Sequence, residues 1–244
     1  MDRSVKSATR VFALLEAFEK SRRPLRAADI VAMLDIPQSS ASMLLKTLVS
    51  EGYMDFNPDT REYAPSLRIA YLCDWLTELP ERPDALPAAL RSLTARTGES
   101  VLLGRIAGLQ MQYVAVHGKH PDAEIAPVAG TRRPLHRSAL GIVLLSALED
   151  DEARAMLLRY NASVAAHVAP ANIEATMRAV AEARDTGFYH SPGFTALGIG
   201  VIAILLPSPI RGERLALGIG APLDRLQRNA RMYLDLMNEA AARC

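Results

Sequence analysis

Apolar residues recur at intervals of three and four over residues 7–19, a spacing that predicts a helix with one buried face. That face consists of Val11, Leu14, Leu15 and Phe18. Residues 27–34 predict a second, shorter helix, and the turn Asp35-Ile36-Pro37 separates it from a third helix over residues 38–50. Short helices joined by such a turn are typical of a helix-turn-helix motif.

The third helix has two unlike faces. One face is an apolar stripe of Leu44, Leu45 and Leu48, with Ala41 as a small contact near its start. The opposite face is short, polar and mostly uncharged, and it carries Gln38, Ser39, Ser42, Met43 and Lys46. Residues 53–55 and 61–63 then flank Asn57-Pro58-Asp59-Thr60, a turn-forming sequence that predicts a hairpin. Three helices followed by a hairpin indicate a winged helix-turn-helix domain over residues 1–65.

A further helix is predicted over residues 66–78, and its apolar side chains are spread nearly all round it. They are Leu67, Ile69, Tyr71, Leu72, Trp75 and Leu76. Such a helix has to be covered on every side, and a second subunit supplies that cover most easily. We therefore predict a linker helix and dimer contact over residues 66–80, which ends at the proline-containing residues 79–83.

Residues 81–244 alternate between helical and strand-like patterns. Helices fit residues 85–96, 138–147, 151–160, 173–186 and 224–243, and strands fit residues 100–106, 109–116, 188–190, 199–206 and 214–220. This order predicts an α+β domain around an antiparallel sheet. The sequence Ala-Leu-Gly-Ile-Gly occurs at both 196–200 and 216–220. If these segments pair in antiparallel fashion, their glycines lie close together and leave room for a ligand or a close backbone.

Composition and charge limit the possible classes of protein but do not identify the function. With 28 Lys and Arg against 27 Asp and Glu, the net charge of +1 gives no global sign of nucleic-acid or membrane-surface binding. Locally, residues 1–50 hold 8 basic and 5 acidic residues, whereas acidic residues predominate over residues 51–78. Cys73 and Cys244 form neither a disulfide framework nor a CxxC pair, which indicates a reducing, cytoplasmic setting.

Targeting and membrane segments are not predicted. No apolar stretch follows the first basic residues, so we expect no signal peptide. Residues 186–210 lack charged side chains, but proline and glycine interrupt them, and the continuous apolar run at 201–206 is too short to span a bilayer. We interpret that run as a buried strand and expect no membrane partner.

In a helix-turn-helix, the first turns of the second helix of the motif contact base edges in the major groove. The predicted contact residues are Gln38, Ser39, Ser40, Ser42 and Met43. Gln38 can bond adenine through two hydrogen bonds, and the serines can bond bases or phosphates. The cations expected to neutralise phosphates are Lys46, Arg22, Arg23 and Arg61. The alternative is a winged-helix module used only for protein contacts.

Catalytic and metal-binding patterns are weak. His117 and His120 form an HxxH pair in a turn, which we interpret as a loop pair and not as a metal site. His136 lies near Ser138, yet no GxSxG sequence surrounds a serine. The GxGxxA match at residues 198–203 lies within a strand and lacks the helix N-terminus that holds pyrophosphate. We predict no catalytic residue, metal or cofactor. A small-molecule enzyme that uses His136 or His117 and a ligand-binding interaction module remain alternatives.

Several stretches together resemble the IclR-type bacterial transcriptional regulators. They are Val11 to Glu16, the helix-turn-helix segment from Ala28 to Leu48, Gly52-Tyr53, Tyr63, Thr97-Gly98-Glu99-Ser100-Val101, Arg133-Pro134-Leu135-His136-Arg137-Ser138-Ala139-Leu140-Gly141, and Gly187-Phe188. The Pro-Leu-His-x-Ser-x-x-Gly sequence after Thr-Gly-Glu is the specific part. The resemblance implies a GAF-like C-terminal domain that binds a small organic or aromatic acid. It also implies a dimer, or a dimer of dimers, that binds palindromic double-stranded promoter DNA and is modulated by the effector.

The resemblance also implies where an effector binds. Positions that match the small-acid pocket of the family are Ala139, Leu140, Ser191, Val201, Gly218 and Gly220. In the family's small-acid binders, an acid stands at the position of Ser191 and a cysteine at the position of Val201. Serines stand at the positions of Gly218 and Gly220. The loss of these polar side chains predicts a pocket for a ligand that is larger or less polar than the small acids bound by those relatives. Met43 and Ile142 also depart from the family, because a basic residue and a lysine are usual at these positions.

Overall fold

The computed structural model describes residues 5–74, 85–118, 127–165, 167–196, 198–210 and 212–243. Its contacts divide the chain into two units, Met1–Leu79 and Pro80–Cys244. Trp75, Leu76 and the predicted boundary at 79–83 lie outside the described residues, so the C-terminal end of the linker helix stays a prediction.

The first unit is a winged helix-turn-helix, as the sequence predicts. Its elements are α1 (Lys6–Ser21), β1 (Leu25–Arg26), α2 (Ala27–Leu34), α3 (Gln38–Ser50), β2 (Met54–Asn57), β3 (Glu62–Pro65) and α4 (Leu67–Asp74). The three strands form an antiparallel sheet in the order β1-β3-β2. The strand β1 was not predicted, because a strand of two residues has no periodicity of its own.

Apolar stripes of the three helices and the sheet meet in one core. Its buried members are Leu14, Phe18, Leu25, Ile30, Ala41, Leu45, Leu48 and Met54. On α3 the buried residues are Ala41, Leu45 and Leu48, and Leu44 is only half-buried. This core fixes the rotation of α3 about its axis, and it therefore decides which residues of α3 face solvent.

The helix α4 keeps a largely uncovered surface. Leu67 and Tyr71 are 77% and 72% exposed, and Leu72 is 52% exposed, whereas Ile69 is half-buried. Exposed large apolar side chains on successive turns of one helix are typical of an interaction surface. The described part of α4 therefore agrees with the apolar exposure that motivated the dimer prediction, without identifying a partner.

The second unit is an α+β domain with a six-stranded antiparallel sheet in the order β6-β5-β4-β9-β8-β7. Its strands are β4 (Ser100–Ala107), β5 (Gln110–His117), β6 (Arg132–Pro134), β7 (Phe188–Ala196), β8 (Ile199–Leu205) and β9 (Leu215–Pro222). Its helices are α5 (Ala85–Thr97), α6 (Ala139–Ser146), α7 (Asp150–Ser163), α8 (Ile173–Thr186) and α9 (Leu223–Ala241), and a 3-10 turn spans Leu135–Arg137. The predicted antiparallel sheet is confirmed, β6 is an addition, and β7 is longer than the predicted 188–190.

Helices cover both faces of this sheet. Residues Val101, Leu103, Ile202 and Ile204 point towards α5 and α9. Their neighbours along the strands, such as Leu102, Val201 and Ala203, point to the other side, towards α6, α7 and α8. Strands buried on both faces read as continuous apolar runs, which is why 201–206 has no polar alternation. The side covered by α6 is called the α6 face below.

Candidate nucleic-acid interface and effector site

The exposed side of α3 presents most of the residues predicted to contact bases. With Ala41, Leu45 and Leu48 buried, the helical repeat of 3.6 residues places Ser39, Met43 and Lys46 on the opposite side. Ser39, Met43 and Lys46 are exposed, as is Gln38 at the first position of the helix. Ser42 is half-buried at the edge of this surface. The structure therefore brings Ser39, Ser42, Met43 and Lys46 to one side of α3, whereas Gln38 lies in line with the buried stripe and is exposed because it begins the helix. These four residues and the exposed Gln38 are called the α3 surface below.

The start of α3 has unpaired donors. Pro37 occupies the N-cap position, and no side chain caps the helix. The Ala41 N–H bonds the Pro37 carbonyl at 3.1 Å, which leaves the first three amides of α3 without a helical partner. Unpaired amides and the helix dipole favour an anionic group at this end.

Ser40 differs from the other serines because it faces α1. A cavity of about 510 Å³ lies between the two helices. Its lining residues are Ser7, Ala8, Arg10, Val11, Ser40, Met43, Leu44 and Thr47. Arg10 is a cation beside the α3 surface that was not predicted, since helical periodicity within α1 cannot show which residues of α3 it approaches.

The hairpin between β2 and β3 supplies another cation. The Asn57 side-chain oxygen accepts hydrogen bonds from the amides of Asp59, at 2.9 Å, and Thr60, at 3.3 Å. This ordered turn leads into Arg61, which is exposed and adopts a φ of +56°. Arg61 therefore stands at the tip of the wing, as expected.

Arg22 and Arg23 lie away from the wing tip, and each already pairs with an acidic side chain. Arg22 lies 3.6 Å from Glu19, and Arg23 lies 3.5 Å from Asp29. With Pro65 and other residues they line a cavity of about 430 Å³, at the end of β3 that is remote from the wing tip. Exposed pairs of this kind contribute about 0–1 kcal/mol and exchange readily. A phosphate would have to displace Glu19 or Asp29 to be bound by either arginine.

The remaining cations of the first unit divide into engaged and available groups. Arg68 bonds the Glu51 carbonyl at 2.9 Å and stacks on the Tyr53 ring at 4.6 Å. Within the described residues, Lys46, Arg61 and Arg10 have no ion pair. Lys6 and Lys20 have none either, but Lys46 belongs to the α3 surface, Arg10 borders it and Arg61 lies at the wing tip, so these three are the cations best placed to bind phosphates.

In the second unit, three of the predicted effector-binding residues form one row across the sheet together with Ser100. Ser191 pairs with Val201, Val201 pairs with Gly220, and Gly220 pairs with Ser100. Directly opposed residues share a face of the sheet, and Val201 points to the α6 face. Ser191, Val201 and Ser100 are all buried. Ser100 was missed, because only the strand register places it beside Gly220.

The open space expected at the glycines is found at neither Gly218 nor Gly220. A Cβ on Gly218 would lie 2.8 Å from Leu140 Cδ1, and one on Gly104 would lie 2.9 Å from Leu140 Cδ2. The prediction of ligand space at Gly218 is therefore wrong in this structure, because Leu140 fills it. At Gly220 the nearest atom would be 3.7 Å away, which is ordinary contact. Gly200 instead accommodates α9.

The Pro-Leu-His-x-Ser-x-x-Gly sequence builds the entry to α6. Ser138 is the N-cap, and its hydroxyl accepts a hydrogen bond from the Gly141 amide at 3.4 Å. A Cβ on Gly141 would lie 2.2 Å from the Leu135 carbonyl oxygen, so only glycine lets the turn fold back onto the helix. Ala139 and Leu140 are consequently buried, at 1% and 0% exposure.

His136 is not assembled into a catalytic pair. Its ring packs edge-on against Tyr160 at 5.1 Å, and its Nδ1 has no hydrogen-bond partner among the described residues. Burial, with Arg137 adding to the effect, lowers the pKa of His136 below its ordinary value. His120 of the HxxH pair lies outside the described residues. The described ranges contain no group of three or more His, Cys, Asp or Glu side chains suited to a metal ion.

Glu99, in the Thr-Gly-Glu sequence, is a buried structural carboxylate. It forms an ion pair with Arg225, in which Nε lies 3.0 Å from Oε1, and it accepts hydrogen bonds from Arg225 Nη2 at 3.2 Å and from the Tyr233 hydroxyl at 3.1 Å. Burial raises the pKa of Tyr233, and the charge of Glu99 raises it further. These contacts join the start of β4 to α9. Among the described helices, none is both long and apolar enough to cross a bilayer.

Both units of the chain match domains of a known protein family. The IclR helix-turn-helix domain matches residues 7–58, and the bacterial transcriptional regulator IclR C-terminal domain matches residues 84–244. The HTH-type transcriptional regulator XynR of Escherichia coli K12 is 26% identical over 201 residues, which is 82% of this chain and 79% of XynR. The acetate operon repressor of Salmonella typhimurium is 22% identical over 228 residues, 91% of this chain and 82% of that protein.

Solved structures agree with the fold. The Thermotoga maritima IclR structure has a TM-score of 0.64 at 18% identity, covering 98% of this chain and 96% of that one. An IclR homologue from Microbacterium hydrocarbonoxydans, complexed with 4-hydroxybenzoate, has a TM-score of 0.57 at 22% identity and covers 97% and 96%. Because the two matched domains account for most of its length, the chain belongs to the IclR family of bacterial transcriptional regulators.

Proposed function

We propose that this protein is a ligand-responsive transcription factor that binds palindromic, double-stranded promoter DNA through α3 and the wing. The observation that carries the proposal is the α3 surface, which is mostly polar and exposed and accompanies a buried apolar stripe on the same helix. A helix that presents such a surface beside a hairpin can enter the major groove while the hairpin contacts the backbone.

The contacts divide by chemistry. Gln38, Ser39, Ser42 and Met43 lie in the first two turns of α3 and are assigned to base edges. Ser40 and the free amides at the helix start are assigned to phosphates, together with Lys46, Arg61 and Arg10. Arg22 and Arg23 join them only if their ion pairs with Glu19 and Asp29 open.

A second copy of the chain is proposed to cover the exposed side of α4. Leu67, Tyr71 and Leu72 supply the apolar surface for that contact. Two-fold symmetry then places two recognition helices about one DNA turn, or a multiple of it, apart, which requires a palindromic site. A dimer of dimers would extend the same arrangement to a tetramer. A regulator of this kind acts where the DNA is, so we place it in the cytoplasm.

The effector is proposed to be a small organic or aromatic metabolite bound on the α6 face. Ser191, Val201 and Gly220 form its floor, and Ala139, Leu140 and Gly218 lie beside it. The absence of a carboxylate or thiol side chain at these six positions favours a ligand less polar than a short keto acid. The 4-hydroxybenzoate in the structure of the Microbacterium homologue supports this class of ligand. Binding would shift the populations of dimer arrangements that differ in recognition-helix spacing. No cofactor is proposed.

The test is DNA binding by the full chain as a function of salt concentration. Lys46→Ala should weaken binding to all sequences and flatten the plot of log K against log salt, by about one unit for each lost phosphate contact. Gln38→Ala should mainly change the preferred site. Arg159→Ala, an exposed cation of α7 in the other unit, is the matched control and should leave both properties unchanged. If neither Lys46→Ala nor Gln38→Ala alters binding in a gel-shift assay, the recognition helix is misassigned.

A further inference from the structure

We propose that the α3 surface selects A·T base pairs, with the Met43 side chain against a thymine methyl group and the Gln38 amide bonded to adenine. The inference rests on the proposed DNA-binding function and specifies the bases that it contacts. Its basis is the chemistry of the residues exposed on α3.

Met43 is a large apolar side chain held in solvent at the centre of this surface. It is 69% exposed, and it lies between Ser39, one turn earlier, and Lys46, nearly one turn later. An exposed methionine between polar neighbours gains nothing from water, whereas the C5 methyl of thymine is the apolar group that the major groove offers. The thioether chain is unbranched and flexible, so it can adapt to the height of a base pair.

The surroundings of Met43 leave it free to move. It borders the cavity between α1 and α3, so that side is not filled by packed side chains. Its backbone is nevertheless fixed, because Ala41 and Leu45 on the buried side of α3 are fully inaccessible to solvent. A rigid helix with one adaptable apolar side chain can present that side chain to a methyl group without unfolding.

Guanine lacks a matching partner on the early turns of α3. The commonest contact to guanine is a bidentate one from arginine or lysine to O6 and N7. The helix contains no arginine, and its one cation, Lys46, lies eight residues, or about 12 Å, from the helix start. The residues in the first two turns are Gln38, serines and Met43, and Gln38 is suited to the N6 and N7 atoms of adenine.

The experiment uses the best site recovered from random DNA by the full chain. Each thymine of that site is replaced in turn by deoxyuridine, which removes only the C5 methyl group. Wild-type protein should lose about four-fold in affinity at the position that Met43 contacts, since one buried methyl group is worth roughly that factor. Met43→Ala should bind the thymine and deoxyuridine sites equally.

Two further variants sharpen the result. Met33→Ala makes the same substitution at a 48% exposed methionine of α2, and it should keep the full loss on deoxyuridine substitution. Met43→Arg should transfer the preference at that position from A·T to G·C. Replacing adenine by 7-deazaadenine removes N7, and it should weaken wild type but not Gln38→Ala.

The outcomes separate this inference from the proposed function. Specific binding with no loss at any deoxyuridine position, or an equal loss in Met43→Ala, overturns the inference and leaves the DNA-binding proposal standing. A selected site with G·C pairs beneath the first two turns of α3 also overturns it. A chain that selects no DNA overturns both.

Discussion

Replacing Gly141 by alanine places a Cβ atom inside the backbone of the 3-10 turn that leads into α6. The new atom would lie 2.2 Å from the carbonyl oxygen of Leu135 and 2.6 Å from its Cα. Real Cβ atoms essentially never come within 3.0 Å of another heavy atom, so the turn must retreat by about 0.8 Å. Backbone atoms cannot rotate aside as a flexible side chain can.

The cost follows from what that retreat disturbs. Overpacking a filled core costs about 1–3 kcal/mol, and displacing Leu135, which is 2% exposed, loosens the same core. The Ser138 cap on Gly141 is already 3.4 Å long and is weakened as well, a loss of about 1 kcal/mol. Alanine is the better helix former by about 1 kcal/mol, which offsets part of this. The expected net loss is about 1–3 kcal/mol in the free energy of unfolding.

Two other glycines of the second unit supply matched controls. A Cβ on Gly220 meets nothing closer than 3.7 Å, so Gly220→Ala should change the free energy of unfolding by less than about 1 kcal/mol. Gly218→Ala should be intermediate, because its closest contact is the movable end of Leu140 at 2.8 Å. Combining Gly218→Ala with Leu140→Ala should destabilise less than the two single changes added together.

The assay is equilibrium urea unfolding of the full chain, followed by circular dichroism. The predicted order of destabilisation is Gly141→Ala, then Gly218→Ala, then Gly220→Ala. A Gly141→Ala variant within about 0.5 kcal/mol of wild type would refute the close contact between Leu135 and α6, and with it the structural role assigned to the motif glycine.

Three further predictions concern the second unit. Arg225→Ala leaves the buried carboxylate of Glu99 without its cation and should lower the free energy of unfolding in urea by about 2 kcal/mol. Adding Glu99→Gln removes the unpaired charge and should restore part of that loss. If the double variant recovers no stability, the ion pair does not have this role. Because burial lowers the pKa of His136 below its ordinary 6.5, its stabilising contribution is complete above that pH and is lost as the pH falls through the folded-state pKa. The melting temperature of His136→Gln should therefore fall less than that of wild type between pH 7.5 and 5.5, with exposed His167→Gln as the control; equal falls would exclude the effect. Arg184→Ala removes three hydrogen bonds, to Ser146 at the end of α6, to Leu148 and to Asp150 at the start of α7, and should cost about 1–2 kcal/mol by the same assay. A neutral variant would show those bonds to be dispensable.

Much of the fold follows from local pattern. The bounds of α2, α3 and α8 agree with the predicted 27–34, 38–50 and 173–186, because a residue with positive φ, namely Asp35, Gly52 or Gly187, stops each helix within two residues of its end. Gly187, for example, follows α8 with a φ of +78°. The strands β1 and β6 were missed, because two or three residues form a strand only through the neighbour with which they pair.

Sequence alone can predict that site residues share a surface when they lie on a single helix. The α3 surface follows from periodicity, since burying Ala41 and Leu45 determines what faces outward. The ion pairs of Arg22 and Arg23, and the approach of Arg10 to Met43, depend on contacts between separate elements. On the sheet, the two Ala-Leu-Gly-Ile-Gly segments do not pair with each other, because Gly200 opposes Ala221 while Gly218 and Gly220 oppose Ala203 and Val201. The pattern also could not show that Leu140 would occupy the space over Gly218.

The central claim is that the chain binds a specific palindromic DNA site. Selection from a random-sequence DNA pool by the full-length protein, followed by sequencing, tests it most directly. We predict enrichment of an inverted repeat whose half-site centres lie about 10 base pairs, or a multiple of that, apart. Recovery of no common sequence, or of a single unrepeated half-site, would contradict the proposed symmetric regulator.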